Sequence, residues 1–543
     1  MITSGREIVL QLNGFSSRVG QGRRNANGIL MDERTQKDIM NDGTENGMGG
    51  RDRESFAIAI IVAAIVSVLA LQWSVVKPYG EFNATYHDEL ADAFLAGQTS
   101  FLRLPPSAMM ALPDPYYPKD NESFRLRPEI PGERFTGVHD LALYNGLLYA
   151  QWGPVPALML IPLRALAGHD LPLGYVTLVL ATLAEAAYGI SAWLLARLCG
   201  LVPTPLTGSL LVVGLLLCPF WTFTLNRVAV YEISVFTGQF FVALAFLSVS
   251  AAFYRRLVQG REYPALLGLA SLFLGLALGC RLDLAILGLM LPVILLLWWR
   301  TDPRRPPWWR MAAPAAALAL PAGACLAGIF VYNYIRFGNI SEIGQSWQLW
   351  AGETSMPGHK FHFFSLVRFA PNVLYYFLAP PKISMDFVPH TLPNTTWPPR
   401  WLSPETIVAY QEQSGYGKEA VVGLFAVAPM AALALLIPLL FRRQRSARAT
   451  ATSAGQRLGP GLLILLAPAL LLSVPMLLAP ATMRYGAEWC MPWVMTGALI
   501  AMWIDRRLET TGSSLGLFLF RLGIALNIVW TTWIGICFLY LTQ

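Results

Sequence analysis

The stretch LGLALGCRLDLAILGLM, residues 274–290, is uncharged and apolar at every position except Arg281 and Asp283. It joins two apolar runs, 264–281 and 283–299, that continue without the polar alternation of a barrel strand. Comparable runs cover 56–76, 172–198, 204–224, 229–254, 311–337, 419–441, 459–479, 489–505 and 515–540. A helix of about 20 apolar residues crosses a bilayer core of ~30 Å. The sequence therefore predicts an all-α polytopic membrane protein of about 11–13 transmembrane helices. A charge at membrane depth costs ~2.5–3.5 kcal/mol, so Arg281 and Asp283 must earn their place. Either they close the outer turn of a helical hairpin and pair locally, or they line a cavity.

Composition agrees. The chain is 55% hydrophobic and 13% charged, against roughly 25% charged in an average soluble domain. Its net charge of +7 sits largely in short loops: YRRLVQGR (254–261), RTDPRRPPWWR (300–310), RRQRSAR (442–448) and DRRLE (505–509). Basic loops between apolar runs mark the cytoplasmic side. They report topology, and nothing resembles a folded basic domain for nucleic acid. The six cysteines lie in or beside apolar runs without paired short spacing, so neither a disulfide framework nor a zinc site is expected.

Residues 1–54 are polar, rich in Gly and Asn, and lack the apolar core of a signal peptide. They read as a disordered cytoplasmic tail, with Met31 and Met40 as alternative starts. The remainder, 55–543, reads as one transmembrane domain. With the N-terminus inside, two large loops fall outside, about 77–152 and 338–418. The segment GPVPALMLIPLRALAG (153–168) is either a further crossing, which would invert every later loop, or re-entrant.

The first outer loop opens with TYHDELADAFLAGQ (85–98), which reads as an amphipathic helix at the membrane surface. Thr85 and Asp88 have the spacing of a capping box, which leaves Glu89 and His87 unexplained. Seven prolines between 105 and 131 then prevent a long helix. His139 and Asp140 open a short helical or extended piece ending at YNGLLYAQWGPVP (144–156).

The DE pair beyond the first membrane helix, followed by NG-x-x-Y-x-x-x-x-P-x-P leading into an apolar segment, resembles the GT-C glycosyltransferases. That superfamily includes the protein O-mannosyltransferases and the aminoarabinose transferases that modify lipid A. The segments VYEISVFTGQFF (230–241), YNYIRFGNISEIGQSWQL (332–349), FSLVRFAPNVLYYFLAPP (364–381) and MRYGAEWCMPW (483–493) are similar to bacterial members of the group. One departure is WGPVP (152–156), where the family has K-P-P.

The resemblance implies a GT-C-like bundle in the inner (plasma) membrane, with its active site on the outer face. It implies a sugar carried on a polyprenyl phosphate or pyrophosphate. The sugar passes with inversion to a lipid, glycan or protein acceptor, and Asp88 corresponds to the general base. Such a transfer needs a carboxylate to take the acceptor proton and cations to stabilise the leaving phosphate. Asp88 and Glu89 are candidates for the first role, with Asp140 orienting the acceptor or sharing the work. Arg227, Arg281, Arg484 and Lys382 are candidates for the second, and Arg336 lies on the same outer side. His87, His139, Tyr144, Trp152, Glu232 and Glu488 are candidate contacts to acceptor or sugar. Arg484 and Glu488 also have the i,i+4 spacing of a structural ion pair.

No cofactor is firmly implied. His359 and His362, with Glu353 as a third ligand, leave room for a divalent metal. Asn83, Asn121, Asn339 and Asn394 begin sequons in the outer loops. Two other classes compete with the transferase: a lipid or polysaccharide transporter, and a ligase or polymerase of lipid-linked glycans. A transporter would carry repeated or broken helices and charges near the midplane, whereas ionisable residues here gather at the outer ends.

Overall fold

The computed structural model describes residues 65–66, 69–75, 85–125, 137–168, 171–302, 307–350, 364–384, 390–392, 421–438 and 453–540. The chain divides into Met1–Phe56, which lies outside the described residues, and Ala57–Gln543. The tail expected at 1–54, the run 56–64, the basic loop 442–448, and His359, His362 and Glu353 all lie outside them too.

The second unit is built of helices. α1 spans Tyr86–Leu95 and α2 Val155–Ala167. α3 spans Leu173–Leu198, α4 Pro205–Leu216, α5 Pro219–Asn226 and α6 Val230–Leu257. α7 spans Pro264–Leu278, α8 Met290–Arg300 and α9 Ala312–Phe337. α10 spans Ser453–Leu478, α11 Met483–Thr510 and α12 Ser514–Tyr540. Eight helical stretches among the described residues are long and apolar enough to cross a membrane, so this is a multi-pass membrane protein. α7 and α2 are shorter apolar helices. α2 has 13 residues and rises about 20 Å, short of a ~30 Å core. Residues 153–168 are therefore too short to count as an ordinary crossing.

Local sequence explains where several helices start and stop. α4 begins at a reciprocal cap: Thr207 N–H donates to Thr204 Oγ1 at 3.3 Å, and Thr204 N–H to Thr207 Oγ1 at 2.9 Å. Pro219, which lacks an N–H, separates α4 from α5 and opens the second helix. The apolar run at 283–299 begins as a 3₁₀ segment, Leu282–Leu289, before becoming α8. Within 419–441, the described residues form a short α-turn at Leu424–Val427 and a 3₁₀ segment at Pro429–Leu436, which Pro429 opens. Gln72 ties residues 69–75 to the bundle, its amide donating to Glu185 Oε1 at 3.1 Å and Leu216 O at 2.8 Å.

α11 is the inner post, 89% buried along its apolar window, whereas the corresponding window of α9 is 11% buried and faces outward. α6 packs against α3 and α7, and α7 against α9. The starts of α6 and α11 meet through Arg484, whose guanidinium lies 4.1 Å from the Tyr231 ring. The end of α7 joins them through Arg281 and Glu488, 2.6 Å apart. The ends of α6, α8 and α11, with the described residues of the basic loops that follow them, consequently lie at the opposite end, about 30–40 Å away by helix rise. Arg256 there pairs with Glu262 at 3.0 Å and Asp302 at 2.8 Å, and Arg506 donates to Gly200 O. Three of the four basic loops thus share one end, as the positive-inside pattern requires.

Candidate active site at the end of the bundle opposite the basic loops

Asn145 and Gly146 have φ of 50° and 74°, the double left-handed turn that closes a two-residue hairpin. β1 (Leu141–Tyr144) and β2 (Leu147–Ala150) pair antiparallel around it, with Tyr144 opposite Leu147. The piece after Asp140 is therefore extended, as one of the two sequence expectations held. Residues 345–350 add to its edge: Asp140 N–H donates to Leu349 O, and Leu349 N–H to Leu141 O, both at 2.8 Å. Tyr144 packs on Phe337 at 5.5 Å and Trp347 at 5.1 Å, which docks the hairpin on the end of α9.

Beneath the hairpin lies a cavity of about 560 Å³. Trp152, Tyr231 and Tyr485 supply aromatic wall, Arg281, Asp283 and Arg336 supply charge, and Gln151, Gln345 and Gln348 supply amides. Two glycines let its floor close. A Cβ on Gly153 would collide with the carbonyl oxygen of Gly279, and one on Gly279 would collide with Val155. This close approach lets Val155 N–H donate to Gly279 O at 3.1 Å.

Arg281 pairs with Asp283 at 3.2 Å and with Glu488 Oε1 at 2.6 Å, so one guanidinium serves two carboxylates from different elements. Both sequence expectations for Arg281 hold together: it pairs locally, and it lines a cavity. Arg336 Nη1 donates to Ala150 O at 2.6 Å and Nη2 to Asn333 Oδ1 at 2.7 Å, while the group stacks 3.9 Å from the Tyr332 ring. Two cations thus face one cavity, each fixed by more than one contact.

The first-loop acids sit differently. Asp88 and Glu89 occupy the first turn of α1, but Thr85 does not cap it. With φ −71° and ψ −11° Thr85 is already helical, and its hydroxyl makes no capping bond, so the expected box is not formed. Arg164 from α2 instead grips the helix, 3.9 Å from Asp88 Oδ1 and 2.9 Å from Asp92 Oδ1. Glu89 is 2.6 Å from Arg103. Neither Asp88 nor Glu89 belongs to the described cavity wall. His87 turns inward and is buried, its Nε2 3.1 Å from both Val230 O and Ser234 Oγ. A carbonyl only accepts, so Nε2 carries the proton. Burial pushes the ring pKa down to about 4, which keeps it neutral. His87 packs 6.0 Å from Trp152 in the wall.

Asp140 is buried in a left-handed conformation, φ 61°. Its Oδ1 accepts from Gln348 Nε2 at 2.7 Å, and its Oδ2 lies 3.4 Å from His139. Burial pushes its carboxyl pKa up. Glu232 Oε2 accepts from Ala229 N–H at 3.1 Å and caps the start of α6. Arg227, just after α5, and Lys382, on a short strand, are exposed and outside the cavity wall. Of the cations expected to meet phosphate, Arg281 lines the cavity, and Arg484 is outside the described lining, stacked 4.1 Å from the Tyr231 ring. Asp283, Gln151, Gln348 and Tyr231 are wall residues that the sequence did not single out as site residues. Asp283 carried a signal in its spacing from Arg281; the two glutamines meet across 197 residues and carried none.

Among the described residues no group of three His, Cys, Asp or Glu side chains is placed to hold a metal ion. Asn121 spends its amide on Pro115 O at 2.9 Å and is buried, whereas Asn339 is exposed.

No protein-family model matches the chain, and no characterised protein sequence matches it significantly. Among solved structures it is similar to the apo oligosaccharyltransferase of Archaeoglobus fulgidus, at 11% identity and a TM-score of 0.47. That match covers 89% of this chain and 56% of the archaeal one, so the chain spans just over half the archaeal enzyme's length. It is also similar to ArnT from Cupriavidus metallidurans bound to undecaprenyl phosphate, at 11% identity and a TM-score of 0.38. That match covers 88% of this chain and 76% of the other. Both are GT-C glycosyltransferases.

Proposed function

We propose that this chain is a membrane glycosyltransferase that moves a sugar from a polyprenyl-phosphate carrier to an acceptor at the outer face of an inner (plasma) membrane. The observation that carries the reading is the cavity at the end opposite the basic loops. It combines two fixed arginines, Arg281 and Arg336, with an aromatic and amide lining. Planar guanidinium groups suit a phosphate, and aromatic and amide surfaces suit a sugar. The acceptor hydroxyl attacks the anomeric carbon, the carbon–oxygen bond to phosphate breaks, and the electron pair leaves with the phosphate. Arg281 and Arg336 stabilise that charge. The acceptor proton passes to a carboxylate on the opposite side, and Asp88 is the first candidate. Arg164 holds it from α2, 3.9 Å from its Oδ1.

A second reading of the base rests on position: among the described residues, Asp283 is the carboxylate that lines the cavity. The function itself is tested by mass profiling of surface glycans and lipids in cells lacking the gene. One sugar increment is expected to vanish, to return with wild type, and to stay absent with a stably inserted Arg281→Ala variant. An unchanged glycan profile would sink the transferase reading. A carrier lipid stranded on the inner leaflet, its sugar untouched, would favour transport.

A further inference from the structure

We propose that Gln151 and Gln348 form a subsite that reads the hydroxyl groups of the transferred sugar, with Asp140 fixing which way both amides point. The inference rests on the transferase reading and deepens it. Both glutamines line the cavity. Gln348 Nε2 donates to Asp140 Oδ1 at 2.7 Å, so its NH₂ faces the acid and its oxygen faces away. That oxygen accepts from Gln151 Nε2 at 3.0 Å. One carboxylate therefore sets two amides in series, and the second N–H and the carbonyl of Gln151 keep a fixed order toward the cavity. An unanchored side-chain amide can present its oxygen or its NH₂ to the same hydroxyl, and it discriminates poorly between sugar epimers.

Three features place a sugar on this wall. Arg336 donates to the carbonyl of Ala150, the residue before Gln151, so the phosphate seat and the amides are anchored to one strand end. The sugar carbon that reacts is bonded to that phosphate. Trp152, next in the chain, packs edge-on to Tyr231 at 5.7 Å, and both line the cavity as an apolar platform beside the amides. The strain also has an explanation. Asp140 is a buried non-glycine residue at φ 61°, a left-handed conformation that side-chain-bearing residues adopt uncommonly. It is kept because the turn aims the carboxylate at Gln348.

The test uses purified full-length protein in lipid nanodiscs, following cavity tryptophan fluorescence. Undecaprenyl phosphate is titrated first, then its glucosyl, mannosyl and galactosyl forms. Wild type should bind the bare lipid and bind at least one glycosylated form about tenfold tighter, the scale of one or two well-made hydrogen bonds. Gln151→Met and Gln348→Met should collapse the ratio of glycosylated to bare affinity toward one. Asp140→Asn, which keeps size but frees the amide order, should lower the ratio between epimers more than the bare-lipid affinity. Thermal unfolding identifies a variant that fails to fold, and Gln151→Glu then serves in its place. If wild type gains nothing from any of the three sugars, or the gain survives both methionine variants, the subsite is wrong and the transferase reading stands. If bare lipid does not bind wild type at all, the transferase reading falls, and the subsite with it.

Discussion

Arg164 and Arg281 each hold two carboxylates, yet the two clusters are built from different materials. Arg164 bridges Asp88 and Asp92, which lie one turn apart on α1. Arg281 bridges Asp283, two residues away, and Glu488, which reaches in from α11. The first cluster clamps one short helix to its neighbour α2. The second exists because distant parts of the chain fold together, and it opens on a cavity. Solvent exposure does not separate them, since Asp88 and Asp283 side chains are 16% and 14% exposed. What separates them is whether a ligand can compete for the arginine. A phosphate arriving in the cavity would take Arg281 from its carboxylates, and such a seat must be held open by groups that can yield.

The sharpest way to break this comparison is a pair of isosteric changes. Asp88→Asn should lower turnover by about 10²–10⁴-fold, the usual contribution of a general base, while lipid affinity stays within a few-fold. Asp283→Asn should act chiefly on the apparent affinity for the lipid phosphate, because it alters the competition for Arg281 and not the proton transfer. Turnover and KM measured separately distinguish the two. The opposite split would move the base to Asp283 and leave Asp88 as part of the α1–α2 clamp.

The next effect tests the floor on which the second cluster stands. Gly153→Ala places a methyl against the Gly279 carbonyl, a backbone atom that cannot step aside. Overpacking of this kind costs about 1–3 kcal/mol. Thermal unfolding in detergent should show it, together with weaker lipid binding, because α7 must shift and Arg281 follows it directly. An unaltered melting temperature would mean that the floor is looser than the contact implies.

These two regions also show what a sequence can and cannot disclose. The membrane helices were legible because an apolar run of sufficient length has few other uses in water, and the basic loops oriented them. The acidic pair at Asp88 and Glu89 was legible for the same reason: charge stands out against apolar surroundings. The partners were not. Arg164 was hidden inside an apolar segment of undecided topology, and Thr85 mimicked a cap that helical backbone angles rule out. Arg281 and Asp283 announced themselves by spacing, but Glu488 is reached only because the fold brings the start of α11 beside the turn that follows α7. The amide chain through Gln151, Gln348 and Asp140 was silent, since uncharged side chains brought together by tertiary folding leave no pattern along the chain.

His87 sharpens the comparison through pH. Its folded pKa is about 4 because of burial, below the unfolded value of about 6.5. Between those values the unfolded state binds a proton that the folded state refuses, so stability falls as pH falls. At pH 5 the loss relative to pH 8 is about 2 kcal/mol from this residue. His87→Gln, which retains a donor for Val230 O, should flatten the pH dependence of the melting temperature across that window. If the dependence is unchanged, the loss in that window belongs to groups other than His87.

The smallest effect concerns the hairpin that roofs the cavity. Gly146 has φ 74°, and a Cβ added there meets nothing within 4 Å. Gly146→Ala therefore tests backbone conformation alone, free of any packing change, and should cost about 1 kcal/mol. Asn145→Gly, at φ 50°, should cost less, because glycine accepts that conformation readily and pays mainly in unfolded-state entropy. Amide hydrogen exchange at Leu143 and Leu148, which face each other across the hairpin, reads both changes locally. Faster exchange in Gly146→Ala, with the α1–α2 clamp unaffected, would show that the roof opens independently of the first-loop acids. Faster exchange across both would mean that Asp88 and the cavity wall move as one body, and the distinction between the two arginine clusters would then be one of position alone.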